Sequence, residues 1–148
     1  MKRDDKLYNV LFPLWMLLLF PQMWLVVLPG NFLIDSLVLA ILMAVLRLEE
    51  KKALYKSSIL KIFCFGLLSD AIGAIYLLLM VFAAHLGIMG DELYLTLPAM
   101  AVASVFIYLF NYRITFKQME RKTRIKMALT FAIATAPYTF LIPSNWIY

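Results

Sequence analysis

Ser57-Ser58-Ile59-Leu60-Lys61-Ile62-Phe63-Cys64-Phe65-Gly66-Leu67-Leu68-Ser69-Asp70-Ala71-Ile72-Gly73-Ala74-Ile75-Tyr76-Leu77-Leu78-Leu79-Met80-Val81-Phe82-Ala83-Ala84-His85 decides the fold class. Across this stretch Lys61, Asp70 and His85 are the only Asp, Glu, Lys, Arg or His residues, and no Pro breaks it. A run of this length and apolarity reads as a membrane-spanning helix, because about 20 apolar residues suffice to cross the hydrocarbon layer.

The rest of the chain follows the same logic. Of its 148 residues 64% are apolar, and the mean hydropathy is +0.86. A water-soluble core of this size cannot bury that much apolar surface, so the bilayer has to. Besides 57–85, the apolar runs fall at about 8–29, 31–48, 94–112 and 126–146. The expected architecture is all-α: one transmembrane domain over 1–148, a polytopic integral membrane protein of five transmembrane helices in the plasma or inner membrane. On this reading all 14 Lys and Arg residues fall on one side. Lys2, Arg3 and Lys6 precede the first run, and Arg47, Lys51, Lys52, Lys56 and Lys61 bracket the second connection. Arg113, Lys117, Arg121, Lys122, Arg124 and Lys126 fill the fourth. Pro29-Gly30-Asn31, the connection around 87–93 and the C-terminus hold no Lys or Arg. Positive charge stays on the cytoplasmic side, which places the N-terminus in the cytoplasm and the C-terminus outside.

The basic pI of 9.4 is explained by short loops facing anionic inner-leaflet lipids, so nucleic acid is not an expected partner. Cys64 is the only cysteine, which rules out a disulfide framework within the chain. Pro13 and Pro21 interrupt the first run and no Ala-x-Ala follows it, so it reads as a retained helix and not a cleaved signal. No phosphate loop, zinc-ligand spacing or nucleophile elbow occurs, and the Gly-x-Gly-Asp pattern of intramembrane aspartyl proteases is absent at Leu67-Leu68-Ser69-Asp70. The expectation is a non-enzymatic protein without a cofactor or metal.

Prolines 13, 21 and 29 recur every eight residues in the first run, where Pro21 predicts a kink, and Pro137 and Pro143 predict that the last one bends or ends early. Small residues let helices approach closely in a membrane. Ser36, Ala40 and Ala44 form one such stripe, Gly66 and Gly73 a second, and Ala99 and Ala103 a third. Trp24, Trp146, Tyr148, Tyr55 and Tyr112 read as interfacial anchors.

The candidate site is an acidic pair. Asp35 precedes Leu48 by thirteen residues and Asp70 follows Ser57 by thirteen, so both sit about 20 Å from the basic ends of their helices at 1.5 Å per residue. An ionised Asp at such depth costs about 2.5–3.5 kcal/mol on the insertion scale. Asn31 lies one turn before Asp35, Ser36 and Ser69 adjoin the two aspartates, and no Lys or Arg is available at that level. Three compensations remain: protonation, a bound cation, or hydrogen bonds in a polar cavity. The bland reading is that Asp35 caps or snorkels at the interface while Asp70 acts as interhelical glue.

Pro29-Gly30-Asn31-Phe32-Leu33-Ile34-Asp35 and Phe65-Gly66-Leu67-Leu68-Ser69-Asp70-Ala71-Ile72-Gly73 resemble the early part of the rod-shape-determining MreD family, small five- or six-helix membrane proteins with a Gly-Leu-Leu-x-Asp segment. That architecture in turn is similar to the substrate-binding components of energy-coupling-factor vitamin transporters. The resemblance covers about residues 29–77 and implies a partner-dependent function, with no residue assignments. Two readings follow from the whole chain. One is a small transporter or channel subunit, oligomeric because five short helices enclose little volume, binding a proton, a cation or a cationic solute at Asp70 and Asp35 with Asn31, Ser36 and Ser69. The other is an MreD-like scaffold of an envelope complex, with Arg113, Lys117, Arg121, Lys122, Arg124 and Lys126 holding anionic lipid or a partner protein.

Overall fold

A computed structural model describes residues 21–85 and 92–138. Among the described residues the chain is all-helical: α1 spans Pro21–Val45, α2 Lys51–His85, α3 Glu92–Phe110 and α4 Arg121–Ala134. A π-helical turn, Asn111–Thr115, prolongs α3. Three stretches are long and apolar enough to cross a membrane: Trp24–Val45, Lys51–Met80 and Thr96–Thr115. Large apolar side chains cover their outer faces, among them Leu25, Leu33, Leu37, Leu60, Ile75, Phe82, Val105 and Leu109. Such a surface suits lipid and not water.

The connection expected at Pro29-Gly30-Asn31 does not exist. These residues lie inside α1, where Pro29 merely withholds a backbone donor from the Leu25 carbonyl. Pro-Gly breaks a helix readily where water can satisfy the freed groups. In hydrocarbon each unsatisfied group costs several kcal/mol, so losing one bond is cheaper than unwinding. The crossing expected over 8–29 therefore shares 21–29 with α1, and its residues 8–20, with Lys2, Arg3 and Lys6, lie outside the described residues. So do residues 139–146 of the last expected crossing, Trp146 and Tyr148, and the connection 86–91.

α1 ends in a Schellman motif. The Arg47 N–H donates to the Ala44 carbonyl (3.2 Å) and the Leu48 N–H to the Met43 carbonyl (3.2 Å), with Arg47 left-handed at φ 50°. Leu48 packs back on the core that contains Met43. The reversal aligns α2 antiparallel to α1 and sets Glu49 and Glu50 just before the positive end of the α2 dipole.

α2 begins at Lys51, six residues before the expected start, so Lys51, Lys52 and Lys56 belong to its first two turns. α4 likewise starts at Arg121 and carries Arg121, Lys122, Arg124 and Lys126 on its own first turns, not on a loop. Its end at Ala134 agrees with the early termination expected from Pro137: the Thr135 N–H and hydroxyl both bond the Phe131 carbonyl (2.9 and 2.8 Å). With 14 residues α4 is about 21 Å long, too short by itself to cross.

All four helices meet in one core: Leu39, Leu42 and Met43 from α1, Ile59 and Ile62 from α2, Ile107 from α3, Met127, Phe131 and Ala132 from α4, and Phe116 between the last two. These positions sit beside the 46–50 and 116–120 turns, so both turns and their cations occupy one end of the bundle. Farther along, Ala99 and Ala103 of α3 are fully buried, and Gly73 and Leu77 of α2 are buried too. The small-residue stripe expected on α1 points elsewhere. Ala40 and Ala44 are exposed, and the packed stripe is Asp35, Leu39, Leu42 and Met43.

Candidate functional site

Asp35 occupies the packed stripe of α1, one turn beyond Leu39, and is 6% exposed. Its carboxylate lies against α2: Oδ2 is 3.8 Å from where a Cβ on Gly66 would stand. A Cβ at position 66 would make an ordinary contact with that carboxylate, whereas a larger side chain directed at α1 would run into it. Asp70 follows Gly66 by four residues, one turn along the same face of α2. The negative charge of Asp35 acts on Asp70 across the helix pair. The Asp70 Oδ1 is sealed from solvent and has no hydrogen-bond partner. No Lys or Arg among the described residues bears on either carboxylate.

The surroundings are apolar. Phe32, one turn before Asp35, meets Phe63, one turn before Gly66, edge to face at 5.6 Å and 82°. Phe65 stacks on Phe110 of α3 at 5.1 Å. On the basic side the fully buried Leu39 and Ile62 lie directly below the pair.

The other expected members divide. Asn31 is half-buried one turn from Asp35 and shares its face. Ser36 does not join the pair: its hydroxyl bonds the Tyr55 hydroxyl at 2.9 Å, toward the basic end. Ser69 is fully buried, and its hydroxyl donates to the Phe65 carbonyl of its own helix at 2.7 Å. Adjacent residues on a helix point about 100° apart, so neighbours of an aspartate in sequence are not its neighbours in space. Tyr55 and Tyr112 are likewise engaged by Ser36 and Arg124 within the bundle.

The basic cluster also divides. Arg113, Lys117, Arg121, Lys122 and Lys126 are exposed. Arg124 is turned inward: its guanidinium lies 4.3 Å over the Tyr112 ring, and it donates to the Tyr112 hydroxyl at 3.1 Å and the Lys117 carbonyl at 3.4 Å. It staples the 116–120 turn to α4 and is not a free cation.

Asn111 and Thr115 escaped the reading of the sequence. Asn111 opens the π-helical turn, is 1% exposed, and donates to the Ile107 carbonyl at 3.0 Å. Its Oδ1 and the Thr115 hydroxyl are sealed without a partner. The Phe116 N–H reaches back five residues to the Asn111 carbonyl (2.9 Å), an irregularity that no local motif announces.

Among the described residues no three His, Cys, Asp or Glu side chains converge to hold a metal. Neither a protein-family model, nor a curated protein, nor a solved structure matches the chain.

Proposed function

We propose that this protein is a small transporter or channel subunit of the plasma or inner membrane, which binds a proton, a cation or a cationic solute between Asp35 and Asp70. The observation that carries the reading is the packing of the Asp35 carboxylate against the Gly66 face of α2, one turn from Asp70, with no basic residue among the described ones bearing on either. Two ionised carboxylates inside hydrocarbon cost about 2.5–3.5 kcal/mol each before their mutual repulsion. A ligand that carries positive charge removes the cost, and its release restores it, which is the cycle a transport site needs. The reading is one of binding without catalysis.

Thermal unfolding in detergent tests it, scanned over pH and over Na⁺, K⁺ and Ca²⁺, for wild type and Asp70→Asn. A ligand that binds only the native state raises apparent stability by mass action. The expected outcome is a proton- or cation-dependent shift in wild type that Asp70→Asn lacks. Equal responses would assign the carboxylates to packing.

A second reading, an MreD-like scaffold, draws on the exposed Arg113, Lys117, Arg121, Lys122 and Lys126, which the Arg124 staple holds on a fixed turn. Each such cation near an anionic leaflet is worth about 1 kcal/mol. Copurification with one fixed membrane partner, lost when these five become Gln, would favour it.

A further inference from the structure

We propose that the ligand exchanged at the acidic pair is a proton shared by Asp35 and Asp70, and that the pair does not hold a metal ion. The inference rests on the pair being the working site and names its ligand.

A hard cation gives up its water shell only for a set of oxygens: Ca²⁺ takes six to eight, and Mg²⁺ requires near-octahedral geometry. The pair offers four carboxylate oxygens, and the polar groups around it are committed. The Ser36 hydroxyl is held by Tyr55, and the Ser69 hydroxyl by the Phe65 carbonyl. Asp35 and Asp70 both lie within unbroken helix, so the backbone carbonyls beside them are used by the helices themselves. The carbonyl that Pro29 frees, that of Leu25, is ten residues from Asp35, about 15 Å along the axis. Asn31 adds at most one oxygen, and no third acidic, His or Cys side chain converges on the pair among the described residues.

A proton needs none of these ligands. Held between the two carboxyl groups, it would replace like-charge repulsion with an O–H···O⁻ hydrogen bond, the short charge-assisted kind. A proton taken from solution brings the pair from −2 to −1, and a second makes it neutral. Either step relieves the sealed, unpartnered Asp70 Oδ1. Among the described residues nothing else facing the pair competes for the proton. α1 presents Asp35 and the non-titrating Asn31, and α2 presents Asp70 between Gly66 and Gly73. Between Thr96 and Phe110 the only titratable side chain of α3 is Tyr108, which stacks on Tyr112 at 5.6 Å. The cations of α4 lie at the basic end, beyond Leu39 and Ile62.

The test is an infrared titration of the carboxyl C=O stretch on the full chain in nanodiscs, for wild type, Asp35→Asn, Asp70→Asn and Asp35→Glu. Thermal midpoints are measured in parallel with NaCl, KCl, CaCl₂ and tetramethylammonium chloride at fixed pH. The pair is expected to titrate in two separated steps in wild type, because coupled sites lose protons as a unit. Each Asn variant should show one step, whereas Asp35→Glu, which keeps the carboxyl, should retain two. No salt should raise the wild-type midpoint above that of the variants. If an Asn variant does not fold, the step count in wild type and Asp35→Glu still decides. A salt-specific rise that the Asn variants lose would overturn the proton assignment while leaving the site in place. Carboxyl bands that titrate independently in wild type, with no salt response, would overturn both.

Discussion

Gly66 gives the acidic pair a mechanical test that does not touch a charge. An Ala at this position places its Cβ 3.8 Å from the Asp35 Oδ2, inside the ordinary contact range of about 3.5–4.0 Å. Replacing a mid-helix Gly by Ala gains about 0.5–1 kcal/mol of backbone entropy, so Gly66→Ala is expected to be neutral or stabilising by that amount. Val adds two carbons about 1.5 Å beyond Cβ, and its χ1 is nearly fixed in a helix. One Cγ directed at α1 would close to about 2.5 Å from Oδ2, so Asp35 or the whole of α1 has to retreat. Overpacking of this kind costs about 1–3 kcal/mol. Overpacking together with the small helix penalty of a β-branched residue should make Gly66→Val less stable than Gly66→Ala by about 1.5–3.5 kcal/mol, and it should also lose the pH response of wild type. Unfolding in mixed micelles and thermal scans across pH provide both readouts. A Val variant that matches Ala in stability and pH response would refute the contact between Asp35 and the Gly66 face.

Further expectations concern the turns and the continuity of α1. Arg47→Gly should stabilise by about 1 kcal/mol, since Arg47 adopts φ 50° in a region where a Cβ costs about 1–2 kcal/mol; denaturant midpoints would show it. Arg124→Ala should destabilise by about 1–2 kcal/mol, through loss of the Tyr112 stack and two hydrogen bonds. Arg124→Lys should recover less than half of that loss, because an ammonium cannot serve the planar fork. Cysteine at position 30, in a Cys64→Ala background, should resist membrane-impermeant maleimide from both sides, because Gly30 lies within α1 with nothing within 4 Å of its added Cβ. Rapid labelling from one side would restore a loop there.

The sequence announced an all-helical chain with long apolar helices, because that follows from composition and from the length of the apolar runs. The helix ends were harder. Pro29-Gly30 is a turn signal calibrated on soluble proteins, and it loses its meaning where no water takes up the freed carbonyl. Lys51, Lys52, Arg121 and Lys122 looked like loop residues because charge was equated with loop, yet a helix that projects beyond the hydrocarbon carries charge at no penalty. Within the site, Asp35 and Asp70 were legible as rare charges in apolar runs. The partner of Ser36 was not, since only tertiary packing brings the Tyr55 hydroxyl to it, and Ser69 instead follows the local habit of a mid-helix serine, bonding the carbonyl four residues back. Asn111 stands among aromatic residues at a helix end with no pattern to mark it, and its burial depends on the way α4 folds back.

The three apolar spans are unequal: 22 residues in α1, 30 in α2 and 20 from α3 into the π-helical turn. At 1.5 Å per residue these are about 33, 45 and 30 Å, against a hydrocarbon film of about 30 Å. α1 and α3 fit the film, whereas α2 has about 15 Å to spare, and Lys61 can snorkel from within that surplus. A thicker film can draw more of α2 into itself while α1 and α3 have no reserve to yield. Bilayer thickness therefore acts on this bundle as a shear between neighbouring rods, and one of the seams it loads is the one where the Asp35 carboxylate lies against the Gly66 face.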